Sequence, residues 1–215
     1  MAVRILVTDD HRMVRKGLVA LLQAEEGFEI AGEADDGRVA VQMAGQLEPD
    51  VVVMDLRMPN LNGIDATRQI LGESPKTKVI GLSANSEARS ATEMLRAGAT
   101  GYVFKQSAFE ELATAIRTVV AGEIYLSPSL ADGILADYLK GHGREPGSVF
   151  GMLSLREREV LQLISEGRAT KEVAAELRVS VKTAETHRRN LMEKLHVDSV
   201  AGLTKYAIRE GLTSV

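Results

Sequence analysis

Apolar and polar positions in this chain follow two different periods, and the switches between them lay out its elements. Four short, nearly unbroken apolar runs stand out: Ile5-Leu6-Val7, Val51-Val52-Val53-Met54, Val79-Ile80-Gly81-Leu82 and Tyr102-Val103-Phe104. Runs of this kind, rich in β-branched residues and separated by stretches of helical periodicity, read as strands of a parallel sheet buried on both faces. The pattern predicts strands near 4–8, 28–33, 50–54, 78–82 and 101–104, and helices near 12–24, 37–46, 63–71, 86–97 and 108–121. Five such units make an α/β, doubly wound, five-stranded parallel sheet. Right-handed crossovers and a crevice between the first and third strands give the strand order 2-1-3-4-5. Ser107 and Glu110 have the spacing of a capping box, and Gly122 supplies a stop signal. The first domain is expected to span 1–125.

Beyond it the periods change. Ser127-Pro128 reads as a helix cap with proline in the first turn, opening a short amphipathic piece through Leu130, Ile134, Leu135, Tyr138 and Leu139. Gly141, Gly143, Pro146, Gly147 and Ser148 then read as a flexible linker, so 126–150 is expected to connect two domains. Residues 151–215 hold four helical patterns, near 155–166, 170–177, 181–195 and 199–209, with a second candidate capping box at Ser154 and Glu157. They form a small all-α module.

Composition narrows the class. A chain of 215 residues with 45% hydrophobic residues can bury a real core in one large or two small domains. It has no cysteine, which excludes disulfides and thiolate chemistry. The apolar run before Asp9 is too brief for the core of a signal peptide, and no stretch approaches the roughly 18 apolar residues of a membrane span. A cytoplasmic protein without membrane contact is the expectation. Charge is uneven: residues 1–149 carry 15 Lys and Arg against 21 Asp and Glu, and residues 150–215 carry 11 against 9. An acidic front before a mildly basic back points to a polyanion-binding tail.

The four apolar runs end at Asp9 and Asp10, at Asp55, at Ser83 and at Lys105. Parallel strands all end on one edge, so these groups are expected to converge where open α/β sheets bind ligands. Three carboxylates brought together repel one another unless a cation sits among them. Mg2+ fits a shallow carboxylate crevice, because it keeps several waters and takes one or two carboxylates plus phosphate oxygens. Asp55 could then act as a nucleophile that forms an acyl phosphate, with Lys105 and Ser83 contacting the phosphoryl oxygens. A single aspartate at a strand end is more often a turn former, and a lone lysine there is usually solvated. It is the ordered set of five that is specific.

Asp9-Asp10, then Asp55-Leu56-Arg57-Met58-Pro59 with Gly63, then Ser83-Ala84, then Lys105, resemble the receiver domain of bacterial two-component response regulators over residues 1 to about 125. The resemblance implies that Asp55 accepts phosphate from a histidine kinase. It assigns magnesium coordination to Asp10, Asp55 and the backbone carbonyl of Arg57, with Asp9 close by. It also makes Ser83 and Tyr102 a switch pair, and places Arg57 and Asn85 where the family tunes dephosphorylation. Gln106 stands where many receivers carry proline.

Along the segment from Val181, at 100° per residue, Ala184, Leu191 and Leu195 share a buried stripe with His187 at its margin. Lys182, Thr186, Arg189, Asn190 and Glu193 form the opposite, polar stripe, with donors suited to phosphates and base edges. With Ala174, Ala175 and Leu177 before the Arg178-Val179-Ser180 turn, this reads as a helix-turn-helix that places its second helix in the DNA major groove. The runs Leu155-Arg156-Glu157-Arg158-Glu159-Val160-Leu161, Glu166-Gly167, Lys171-Glu172-Val173-Ala174 and Ser180 through Arg188 are similar to the LuxR-type helix-turn-helix. That similarity points to Lys182, Glu185, Thr186 and Arg189 as base readers and to Lys171 and Arg188 as phosphate contacts. By the wheel Arg188 lies nearer the buried side, which suits packing equally well.

From end to end the chain resembles a NarL/FixJ-type response regulator. The expected function is transcription regulation in which phosphorylation of Asp55 switches sequence-specific DNA binding, rather than enzymatic turnover. Expected partners are DNA, a cognate histidine kinase and a second copy of the chain after phosphorylation, with RNA polymerase a further candidate. Two other readings cover part of the pattern. One is a DNA binder that ignores phosphorylation. The other is an aspartyl-phosphate phosphatase, which usually needs a second aspartate at the position held here by Arg57.

Overall fold

The computed structural model describes residues 2–84, 88–128, 130 and 149–213. The chain divides into two compact units, Met1–Arg144 and Glu145–Val215.

In the first unit, strands and helices alternate: β1 (Val3–Thr8), α1 (Arg12–Ala24), β2 (Phe28–Ala34), α2 (Gly37–Leu47), β3 (Val51–Asp55), α3 (Gly63–Glu73), β4 (Lys78–Ser83), α4 (Ala88–Arg96), β5 (Gly101–Phe104), α5 (Ala108–Val120) and β6 (Tyr125–Leu126). All paired strands are parallel, in the order β2-β1-β3-β4-β5-β6. Every residue of β3 is buried, as its unbroken apolar run requires. Side chains alternate between the faces. Ile5, Val7, Val51, Val53, Ile80, Leu82 and Val103 pack with Leu18 and Leu22 of α1 and Leu112 and Ile116 of α5. Leu6, Val52, Met54 and Tyr102 are fully buried on the opposite face.

Among the described residues the sheet has six strands rather than the expected five. The sixth, β6, pairs Tyr125 with Gly101 and Leu126 with Tyr102, so the sheet runs past the expected boundary at Tyr125. A two-residue strand has no period to read. Ser127 is fully buried: its N–H donates to the Tyr102 carbonyl at 3.0 Å, and its Oγ accepts from the Phe104 N–H at 3.3 Å. The amphipathic piece through Ile134, Leu135, Tyr138 and Leu139 and the glycines of the expected linker lie outside the described residues, as does Asn85.

Helix starts follow capping chemistry. Asp36 accepts from the N–H groups of Arg38 (2.7 Å) and Val39 (2.9 Å), and Asn62 accepts from that of Asp65 (3.0 Å). The expected capping box at Ser107 does not form: φ −102° and ψ 2° turn the side chain away from the helix, and its hydroxyl donates back to the Phe104 carbonyl.

The second unit contains α6 (Val149–Met152), α7 (Leu155–Ser165), α8 (Thr170–Glu176), α9 (Val181–Leu195) and α10 (Val200–Arg209). Among the described residues of this unit, five helices stand where four were expected. Val149, anticipated in the connector, is fully buried in a core with Val160, Leu161, Leu163, Leu191, Leu203 and Ala207. The capping box of α7 is complete: Ser154 Oγ accepts from the Glu157 N–H at 3.3 Å, and the Glu157 carboxylate accepts from the Ser154 N–H at 2.8 Å. Between α8 and α9, Arg178 sits at φ +52°. The N–H groups of Arg178 and Val179 return to the carbonyls of Ala175 (3.1 Å) and Ala174 (2.9 Å), closing a tight helix end.

Candidate functional site

The ends of β1, β3 and β5 bring their polar residues to one edge. Lys105 Nζ lies 2.7 Å from Asp55 Oδ2 and 2.8 Å from Asp9 Oδ2. Asp9 is fully buried and Asp55 nearly so. Asp10 and His11 stand at the mouth, and one donor atom from each of Asp9, Asp10, His11 and Asp55 falls within 4.8 Å of the others. The other Asp9 oxygen accepts from the His11 N–H at 2.8 Å, which fixes the turn that carries the cluster.

Electrostatics at this edge oppose one another. Burial, aided by the charges of Asp9 and Asp10, pushes the Asp55 carboxyl up from 3.8 to about 6 against the pull of Lys105. Burial alone would lower the Lys105 pKa. The Asp55 charge and the hydrogen bonds to Asp55 and Asp9 outweigh it, so the ammonium is held above its ordinary value. Three carboxylates against one ammonium leave an excess of two negative charges, a donor set of hard oxygens suited to a divalent cation.

The loop after β3 is shaped for the same purpose. The Arg57 N–H donates to Asp55 Oδ1 at 3.4 Å, and Asn60 takes the left-handed region at φ +65°, which asparagine tolerates. A Cβ on Gly63 would fall well inside van der Waals contact of the Asp55 carbonyl oxygen, so only glycine lets α3 start this close to the strand. Ser83 is buried at the end of β4, where it pairs in register with Phe104, and its carbonyl accepts from the Lys105 N–H at 2.8 Å. Tyr102 is fully buried on the opposite face from Val103, its ring edge-on to Phe104 at 6.1 Å.

In the second unit, α9 buries Ala184, Leu191 and Leu195, as its wheel predicted, and leaves Lys182, Glu185, Arg189, Asn190 and Glu193 exposed. Thr186 and Arg188 are half-buried. The Thr186 hydroxyl donates to the Lys182 carbonyl at 2.9 Å. The Arg188 guanidinium donates to Thr170 Oγ1 at 3.3 Å, a bond to the first residue of α8. Lys171, also on α8, is exposed.

Comparison with known proteins joins the two halves. Residues 5–117 match the model of the response regulator receiver domain, and residues 151–207 match that of the bacterial regulatory proteins of the luxR family. The chain is 37% identical to the oxygen regulatory protein NreC of Staphylococcus carnosus (strain TM300), over 97% of this chain and 98% of that protein. It is 39% identical to the transcriptional regulatory protein LiaR of Bacillus subtilis (strain 168), over 99% of this chain and 100% of that protein.

The chain belongs to the NarL/FixJ-type response regulators.

It is thus a DNA-binding transcriptional regulator made of a receiver domain and a LuxR-type helix-turn-helix. A solved structure of the response regulator RcsB in complex with DNA is similar at 25% identity and a TM-score of 0.60, covering 98% of this chain and 99% of that one. Among the described residues no helix is long and apolar enough to cross a membrane.

Several working groups of this response regulator escaped the sequence reading. His11 reaches the acidic cluster, and its place directly after Asp10 was the available signal. Arg158 is buried, donates to the carbonyls of Phe150 and Leu153 and covers the Phe150 ring, so it ties α6 to α7. Glu111 accepts from Tyr125 and Ser127, groups that lie beyond the expected end of the domain. Nothing in the local pattern marks either pairing.

Proposed function

We propose that Asp55 accepts a phosphoryl group from a histidine kinase and that this modification switches sequence-specific DNA binding by α9. One observation carries the reading: Asp55 is held between the ammonium of Lys105 at 2.7 Å and the carboxylates of buried Asp9 and exposed Asp10. A carboxylate oxygen of Asp55 forms the new P–O bond as the P–N bond of a phosphoimidazole breaks. Its pKa of about 6 leaves it mostly ionised at neutral pH and able to attack. Lys105 already touches the oxygen beside which phosphoryl charge would appear. Asp9, Asp10, Asp55 and the Arg57 carbonyl are the groups that would hold Mg2+, which supplies neutralising charge when bound.

Phosphorylation adds charge at the end of β3, and Ser83, Tyr102 and Lys105 are the groups through which it biases the unit between two states. The output is homodimerisation and DNA contact in the cytoplasm. Lys182, Glu185, Thr186 and Arg189 face the major groove, Lys171 and Arg188 approach phosphates, and RNA polymerase is a further partner. Glu185 would accept from the cytosine amino group. Two linked modules gain affinity through effective concentration.

The test is treatment of the full chain with a small phosphodonor and Mg2+. A mass increase of one phosphoryl group, absent in Asp55→Asn, together with a donor-dependent DNA footprint at fixed salt, is expected. A footprint that is identical with and without donor would favour a regulator that binds DNA independently of phosphorylation.

A further inference from the structure

His11 occupies the N-cap of α1, a position that favours Ser, Thr, Asp or Asn, yet its side chain makes no capping hydrogen bond. The imidazole instead turns to the acidic cluster. Nδ1 lies 2.6 Å from Asp10 Oδ1 and 3.5 Å from Asp9 Oδ1, and the side chain is 67% exposed. A ring nitrogen is thus one of the four donors gathered within 4.8 Å. Donor atoms on opposite sides of an ion bound at about 2.1 Å stand about 4.2 Å apart, so a small contraction brings all four round one cation.

Chemistry separates this donor from the rest. Carboxylate oxygens suit Mg2+, whereas imidazole suits borderline transition ions. A neutral imidazole adds a ligand without adding charge, and its exposed ring can exchange the bond to Asp10 for a bond to the ion. We propose that His11 is a metal ligand of this pocket and that its imidazole shifts the pocket's preference from Mg2+ toward borderline ions such as Co2+. The inference rests on the reading of the pocket as a divalent-cation site and goes beyond it in naming a nitrogen donor and the selectivity that donor confers.

All first-row ions bind nitrogen and oxygen sites in a general order of affinity, so the informative quantity is the selective change when His11 is replaced. Calorimetric titration of the full chain with Co2+ and with Mg2+ would be compared for the parent, His11→Ala and Asp10→Asn in one buffer at fixed pH. Because His11 is exposed and caps nothing, its replacement leaves the fold intact. His11→Ala is expected to weaken Asp10-dependent Co2+ binding about tenfold or more while changing Mg2+ binding less than about twofold. The Co2+-loaded parent should show a hyperfine-shifted imidazole N–H proton resonance that is missing in His11→Ala. Equal losses for both ions, or no loss of Co2+ affinity, would overturn the role of His11 and leave the cation pocket standing. Binding of neither ion in an Asp10-dependent way would overturn the pocket itself.

Discussion

The Phe104 N–H donates to Ser127 Oγ at 3.3 Å, so a residue beyond the last strand completes the hydrogen bonding of the strand that delivers Lys105. Ser127 in turn donates to the Glu111 carboxylate and closes a link from β5 to α5. Ser127→Ala leaves the buried Phe104 N–H without this acceptor, a loss of about 1–3 kcal/mol. Denaturant unfolding measures that loss, and amide exchange at Phe104 should quicken. Unchanged exchange there would show that the link does not hold the strand.

The pH dependence of stability follows from Asp55. An acid whose pKa rises on folding binds its proton more tightly in the native state, so its contribution is most favourable below the ordinary carboxylate range and declines as pH rises. For Asp55 the decline runs from 3.8 to about 6. Asp55→Asn removes the buried charge, so in metal-free buffer at neutral pH it is expected to melt higher than the parent, with a gain in stability bounded at about 3 kcal/mol. The gap should close below about pH 4, and a divalent ion should narrow it at neutral pH. A parent that melts as high as the variant at neutral pH would contradict burial as the dominant cause.

Gly63 and Gly72 lie on the same helix and should respond oppositely to alanine. A Cβ on Gly63 collides with the Asp55 carbonyl oxygen and must push backbone aside, at a cost of about 1–3 kcal/mol or more. At Gly72 nothing lies within 4 Å, so alanine should stabilise the helix by about 0.5–1 kcal/mol. Paired thermal melts decide the matter, and phosphodonor labelling should be lost only in Gly63→Ala.

Adjacent arginines on α9 should also separate. Arg189 is exposed, whereas Arg188 bonds to Thr170 on α8. Arg189→Ala is expected to weaken binding to a preferred DNA sequence by about 1–3 kcal/mol with an unchanged melt. Arg188→Ala should lower the stability of the helical unit by about 0.5–1.5 kcal/mol. Anisotropy titrations at fixed salt, run beside melts, distinguish the two roles.

The elements that the sequence predicted well are those with a strong period. The apolar runs became β1, β3, β4 and β5 to within a residue or two, and the wheel of α9 named its buried face. Asp55, Asp9, Asp10 and Lys105 were legible as a set because parallel strands end on one edge, and the structure brings them together. Short elements were not legible, since β6 and α6 are too brief to repeat. Local spacing also misled: Ser107 and Ser154 carry the same signature three residues before a glutamate, and only Ser154 has the extended backbone that lets the side chain cap. The pairings of Arg158 with Phe150 and Leu153 and of Glu111 with Tyr125 and Ser127 depend on how one element packs on the next, which periodicity does not encode.

Among the described residues, Tyr125, Leu126 and Ser127 dress the outer margin of β5. A recombinant fragment cut at residue 124 would bare a row of unpaired backbone groups, the kind of template that recruits neighbouring chains into aggregates. One that ends after Leu130, itself buried, keeps that margin covered and should stay monodisperse.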